Sequence, residues 1–175
     1  MIRSGLLLLL LLTGEAIAAP PANSPEGVVL AYITAIQKDG PAATVPRFTH
    51  PDECARFKAI FMPAIRADAG KSSVKTLGRK MSLKEIEDMR PVDFLTAYLE
   101  SKDLRVDGLK LSPPKFLGSV REGEILHLLV RTEKIQLDGL PSNKVDVLSL
   151  KPFGNSWKLM LSWEFEAYAR ALAAQ

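Results

Sequence analysis

The stretch FTHPDECARFKAIFMP, Phe48 to Pro63, places His50, Asp52, Glu53 and the only cysteine, Cys54, within five residues. Three chemistries could use those types. A thiol at a helix amino terminus can ionise at a low pKa and act as a nucleophile. A histidine beside a carboxylate can serve as a general base, the pairing that His50 and Asp52 would offer. Histidine, cysteine and acids together could also hold a metal. The spacing argues against a metal, because zinc takes four ligands, or three and a water. The only other histidine, His127, lies more than seventy residues further on.

The same letters read more simply as a helix start. Pro51 suits the first helical turn, and Asp52 and Glu53 complement the positive end of the helix dipole. Cys54, Phe57, Phe61 and Ala64 or Ile65 then recur at steps of three and four, which puts them on one face. Cys54 is thus expected as the first member of a buried apolar stripe, where a free cysteine behaves as a small hydrophobe. No metal and no cofactor are expected.

A second candidate centre lies in EILHLLVR. Alternation puts Leu126, Leu128 and Val130 on one strand face and Ile125, His127, Leu129 and Arg131 on the other. The wholly apolar set should face the helices, which leaves His127 on the outer face. With the opposite assignment His127 would be a pocket base and Arg131 an anion holder. Two catalytic arrangements are therefore kept as an alternative, a small lyase or isomerase using His127 with Arg131, or His50 with Asp52. Serine, histidine and acids are too scattered for a nucleophilic triad. No Gly-rich phosphate loop, CxxC or HExxH occurs. Glu85, Glu87 and Asp88 read as a solvated helix face rather than a paired-carboxylate site.

These residues need elements to position them. Ser24 can cap a helix with Pro25 at its first position. Val28, Val29, Tyr32, Ile33 and Ile36 follow at helical spacing until Asp39-Gly40 stops the pattern, and a short turn over Pro41 to Pro46 leads to the second helix. Ser82 and Glu85 form a capping box, with Met81 able to staple to Ile86. Arg90-Pro91 breaks that helix and restarts another through Leu95, Tyr98 and Leu99.

From Leu104 the period becomes two. A short strand ends at Pro113-Pro114, and strands are expected at Lys115 to Val120, Glu124 to Gln136, Val145 to Leu150 and Trp157 to Ser162. On the last, Trp157, Leu159, Leu161 and Trp163 share a face. Glu164 to Ala174 is alanine-rich and helical. The predicted class is α+β, with amino-terminal helices packed on an antiparallel meander sheet.

The first residues address the chain. Arg3 is a positive n-region, Leu6 to Leu12 an apolar run, and Ala16 and Ala18 fit the A-x-A rule, so a signal peptide over 1–18 is expected, cleaved after Ala18. The run is short of the roughly 20 apolar residues that span a bilayer, so no transmembrane anchor is expected after cleavage. Residues 19–24 read as a Pro-rich tether and 25–175 as a single domain. Removing 18 of 175 residues leaves 157, enough to bury roughly 70% of the unfolded surface without staples. One thiol cannot close an internal disulfide. The net charge of +3 comes from 23 basic and 20 acidic residues, well mixed. With no like-charge block, no nucleic-acid partner is expected.

Helices followed by a long antiparallel meander resemble the nuclear transport factor 2-like (cystatin-like fold) superfamily. VVLAYITAIQKDG is similar to the V-x-x-Y-x-x-A-[IL]-x-x-G-D helix of those domains, with the final pair here reversed as Asp39-Gly40. The resemblance covers roughly Pro25 to Ser162 in element order and that one helix in motif. It implies a cone-shaped sheet enclosing a pocket. Members include isomerases, dehydratases and cyclases with Asp or His in the pocket, and also binding or dimerisation modules.

The residues expected to line the pocket are Phe57, Phe61, Leu126, Leu128, Trp157 and Trp163. Neither inner strand face carries a titratable group, so the expectation is an exported, non-catalytic binding or interaction module, periplasmic rather than fully secreted. Its expected partner is a small hydrophobic ligand or a protein, with a homodimer through the outer sheet face.

Overall fold

The computed structural model describes residues 20–67, 76–102, 110–135 and 141–173. The expected signal peptide and most of the strand expected from Leu104 lie outside them. In chain order the elements are α1 (Pro25–Phe48), α2 (Pro51–Ala67), α3 (Leu83–Asp88), α4 (Pro91–Ser101), β1 (Lys110–Leu111), β2 (Lys115–Glu122), β3 (Ile125–Ile135), β4 (Pro141–Phe153), β5 (Ser156–Leu159) and α5 (Trp163–Ala173). The fold is α+β with an antiparallel sheet.

Side-chain capping starts the helices where the sequence signals lie. Ser24 Oγ accepts from the Gly27 amide at 3.1 Å, and Pro25 follows at the first position. At α3 both halves of the capping box form: Ser82 Oγ accepts from Glu85 N at 3.3 Å, and Glu85 Oε2 accepts from Ser82 N at 2.7 Å. The Ser82 hydroxyl, which also donates to Glu85 Oε2 at 2.7 Å, and then the Ser82 amide hold the Glu85 carboxyl below the usual carboxylate range.

One expectation is corrected. Pro41 to Pro46 is helical rather than a turn, and α1 runs to Phe48 across a kink. Gly40 adopts φ 78°, ψ 170°, a region open essentially to glycine alone, so the first segment stops there. Pro41 then restarts the helix, because a first-turn residue needs no N–H and its φ is already set.

Two cores result. In the first, the α2 stripe of Cys54, Phe57, Phe61 and Ile65 packs with Ile86, Phe94, Leu95 and Tyr98. Phe57 is its centre, stacked on Phe165 at 5.1 Å and edge-on to Tyr98 at 4.9 Å. In the second, Val28, Val29 and Ile33 of α1 lie on Leu126, Leu128, Val130, Leu150 and Leu159. The inner sheet face is thus the one alternation assigned.

Strand β3 is central. β4 pairs along its whole length, and β5 pairs β4. On the other side β2 and β1 lie end to end, separated by Pro113-Pro114, which cannot continue an amide ladder. The β2–β3 register shifts between Phe116 and Gly118. β5 is shorter than expected, ending at Leu159, and α5 begins at Trp163.

The free edge of β5 is covered by the α1–α2 junction. Thr49 bridges Leu159, and His50 N donates to Leu159 O at 2.8 Å. Lys158 Nζ donates to the Arg47 carbonyl. Leu161 N donates to Glu53 Oε2 at 3.3 Å.

A Cβ on Gly40 would meet nothing within 4 Å, so any loss from substitution is backbone strain alone. Gly40→Ala should lower the unfolding free energy by about 1–3 kcal/mol. Urea titration of both proteins measures it, and an unchanged midpoint would contradict the strained kink.

Candidate functional site

His50 is buried, and its functional groups are consumed by the helix it precedes. Its carbonyl accepts from Glu53 N at 3.0 Å and Cys54 N at 3.2 Å. Its ring Nδ1 accepts from Asp52 N at 3.2 Å, so one more first-turn amide is satisfied. The ring also meets Phe153 edge-on at 5.6 Å. Asp52 Oδ2 lies 3.5 Å from Nδ1 but also pairs with Lys151 at 3.3 Å. An Nδ1 that accepts from the backbone is not free to exchange a proton with Asp52, so this pair caps a helix.

Beside it, Glu53 links three elements. Oε2 receives Arg56 at 2.6 Å as well as the Leu161 amide, and Arg56 also reaches Glu166 of α5 at 2.7 Å. Arg170 completes the chain at 2.7 Å from Glu166. The Arg170 and Arg56 contacts hold the Glu166 carboxyl below its ordinary range.

Cys54 is 2% exposed. Burial, followed by the Glu53 charge, pushes its thiol up to about 11. Lys158 opposes that shift and does not reverse it. At neutral pH the group is therefore a thiol rather than a nucleophilic thiolate.

His127 lies on the outer sheet face, on one rung with Val120 of β2 and Ser149 of β4. Nδ1 is 2.8 Å from Ser149 Oγ, and Nε2 is 3.4 Å from Glu122 Oε2. Arg131 shares that face two rungs away, between Lys115 and Val145. The structure does not bring the two histidines together, nor place either beside the inner apolar face. Among the described residues no group of three or more His, Cys, Asp and Glu could hold a metal ion.

The six residues expected around a pocket separate. Phe57 and Phe61 fill the helical core, Leu126 and Leu128 fill the α1–sheet core, and Trp157 packs at the edge of the latter. The Arg121 guanidinium lies 5.4 Å from the Trp157 ring. Trp163 is corrected: it is 76% exposed at the first position of α5. β5 ends at Leu159, one further in-register bond runs from Met160 N to Ser149 O at 2.8 Å, and the Leu161 amide goes instead to Glu53 Oε2. Beyond that bond the period-two pattern has no ladder to follow, so Trp163 does not share a strand face with Trp157.

A different set of residues forms a cavity of about 280 Å³ where the two cores meet. Its walls include Tyr32, Val45, Leu99, Leu148, Leu161 and Phe165, from α1, α4, β4, the β5–α5 link and α5. No His, Asp, Glu, Lys or Arg lines it. The side-chain hydroxyls at its wall belong to Tyr32, Thr49 and Ser162. Thr49 Oγ1 donates to Val45 O at 2.7 Å, and Ser162 Oγ accepts from Phe165 N at 3.3 Å. Burial pushes the Tyr32 hydroxyl above its ordinary pKa, so it stays a protonated donor. Sequence periodicity counted Tyr32 as core; only the kink after Gly40 and the end of β5 at Leu159 open space beside it.

No family model, curated protein or solved structure matches this chain.

Cys54 should react slowly with a small thiol reagent in the folded protein and rapidly after denaturation. Because its folded pKa is raised, the unfolded chain loses the proton first. Its contribution to stability is thus complete below about pH 9 and lost as pH rises to about 11. Thermal melts of the wild type should fall faster through that window than those of Cys54→Ala. Fast native labelling would show an accessible, reactive thiol instead.

Proposed function

We propose that this protein is an exported, non-catalytic binding module that holds a small, largely apolar molecule in the cavity between its two cores. The observation that carries the reading is the lining of that cavity: apolar side chains, no acid or base, and hydroxyls as the polar groups, the protonated Tyr32 phenol among the donors. Sites of this kind bind through apolar burial and use a few polar groups for orientation. The favoured ligand therefore carries an acceptor for a hydroxyl, such as a carbonyl or ether oxygen.

The runner-up, a lyase or isomerase, needs a proton-transfer group within hydrogen-bond reach of a bound substrate. Turnover abolished by His127→Ala would favour it. For the fold we propose the nuclear transport factor 2-like cone, supported by helices preceding a meander and by α1 lying across the inner sheet face. Export is supported by the Arg3, Leu6–Leu12 and Ala16–Ala18 pattern, and we propose the periplasm as the destination. Among the described residues no helix is long and apolar enough to cross a membrane.

We also propose a homodimer through the outer sheet face. Val120 and Val147 stand 61% and 59% exposed there, with Val145 beside them. Lys115 and Arg131 share one end of that face and Glu122 lies at the other. A two-fold axis running across the strands would set Glu122 of one copy against Lys115 and Arg131 of its mate. Light scattering should give the dimer mass, and Val147→Lys should give the monomer; a monomeric wild type at high micromolar concentration contradicts this surface.

For the cavity, acetophenone and ethylbenzene are probes of similar shape with and without an acceptor. Both should shift the amide resonances of Tyr32, Leu148 and Leu161. Tyr32→Phe should weaken acetophenone by about 0.5–1.5 kcal/mol and leave ethylbenzene unchanged. The reading fails if neither probe moves those resonances at saturation.

A further inference from the structure

A second cavity, of about 350 Å³, lies on the other side of the α1–α2 junction and has a different chemistry. Pro46, Pro51, Pro91, Val92 and Phe153 form apolar walls, with the buried edge of Cys54 among them. Proline has no amide N–H, so three of these wall positions offer a ligand rigid hydrocarbon and no backbone donor. The charged groups at the wall are Arg47 and Lys158, and no carboxylate lines the cavity.

Lys158 is held at this wall from two sides. Its ammonium donates to the Arg47 carbonyl and lies 5.9 Å from the Phe153 ring centroid. An ammonium has three donors, so that one hydrogen bond leaves further donors for a ligand. Among the described residues, no carboxylate is within ion-pair distance of it. Arg47 adds a guanidinium that lies 5.2 Å from the Phe48 ring centroid and 3.5 Å from Asp39 in a loose, solvent-exposed pair. Such a pair contributes little and leaves the guanidinium able to turn to another anion. Of the acids adjoining wall residues in sequence, Asp52 pairs with Lys151, Glu53 with Arg56 and Asp93 with Arg90.

We infer that this cavity binds a small amphipathic anion, an alkyl or aryl carboxylate whose apolar body lies on the proline and Phe153 walls and whose carboxylate meets Lys158 and Arg47. The two cations set it apart from the neutral cavity between the cores, so this site stands or falls independently of that one. The arrangement selects for charge and apolar body together. A free inorganic anion lacks the body, and a neutral alkyl alcohol lacks the charge.

Octanoate is the probe, titrated into the purified protein by calorimetry, with octanol and sodium phosphate as controls. Amide resonances of Arg47, Val92 and Lys158 locate the site, against those of Tyr32, Leu148 and Leu161 in the other cavity. Saturable octanoate binding that moves the first group, at least tenfold tighter than octanol or phosphate, is expected. Lys158→Met should weaken it at least tenfold, and Lys158→Arg should keep it within threefold of wild type. Should Lys158→Met fail to fold, Arg47→Gln serves instead, because it keeps the carbonyl that Lys158 grips, and at least a tenfold loss is again expected. The inference is overturned by no saturable heat, by octanol or phosphate within tenfold of octanoate, by shifts confined to the second group, or by a smaller loss in the charge-removing variant.

Discussion

The edge of β5 and the junction between α1 and α2 share a short parallel contact, Thr49 with Leu159 and His50 N on Leu159 O, and both cores depend on it. An uncovered strand edge leaves a row of unpaired amides and carbonyls. Here the chain covers that edge with a segment more than a hundred residues earlier in sequence. The contact holds α1 across the inner sheet face and starts α2 in the direction that lets its aromatic stripe meet α4 and α5. Glu53 reinforces it one turn later by accepting the Leu161 amide and, through Arg56, drawing in Glu166. Glu53 is a nearly buried carboxylate, and such a group is tolerable when its oxygens are hydrogen-bonded and its charge is paired.

The same contact divides space. Thr49 lines both cavities, so one peptide segment is the wall between them. On the side toward the cores the walls come from α1, α4, β4, the β5–α5 link and α5, and the side-chain polar groups are hydroxyls. On the outward side they come from the end of α1, the starts of α2 and α4, Phe153 of β4 and Lys158 of β5, and the charged groups are cations. The difference follows from β-strand alternation: Leu159 points inward, so its neighbour Lys158 points outward.

Groups that resemble catalytic equipment in sequence serve packing and capping in three dimensions. Nδ1 of His50 satisfies an amide in the first turn of α2, and the Cys54 thiol is kept protonated by burial. Helix starts concentrate acids, prolines and polar rings for dipole and hydrogen-bond reasons, and these are the residue types that a search for active sites also seeks.

Local physics made much of the fold legible. The caps at Ser24 and Ser82, the stripe from Cys54 to Ile65 and the inward set Leu126, Leu128 and Val130 each follow from interactions within a few residues of chain. The α1 continuation past Gly40 was not legible, because Asp-Gly-Pro reads as a stop and the restart depends on packing. Nor was the end of β5, since WKLMLSW alternates through Trp163 while the ladder that would enforce alternation gives out after Met160, where the Leu161 amide goes to Glu53. The cavities were least legible of all. By itself the sequence determined helix caps, strand faces and the α+β class, because those arise from near neighbours and period. Tertiary structure alone decided that Tyr32 and Leu161 line one cavity and that Lys158 meets the Arg47 carbonyl, because each pair is brought together only when β5 docks on the α1–α2 junction, a contact with no local signature.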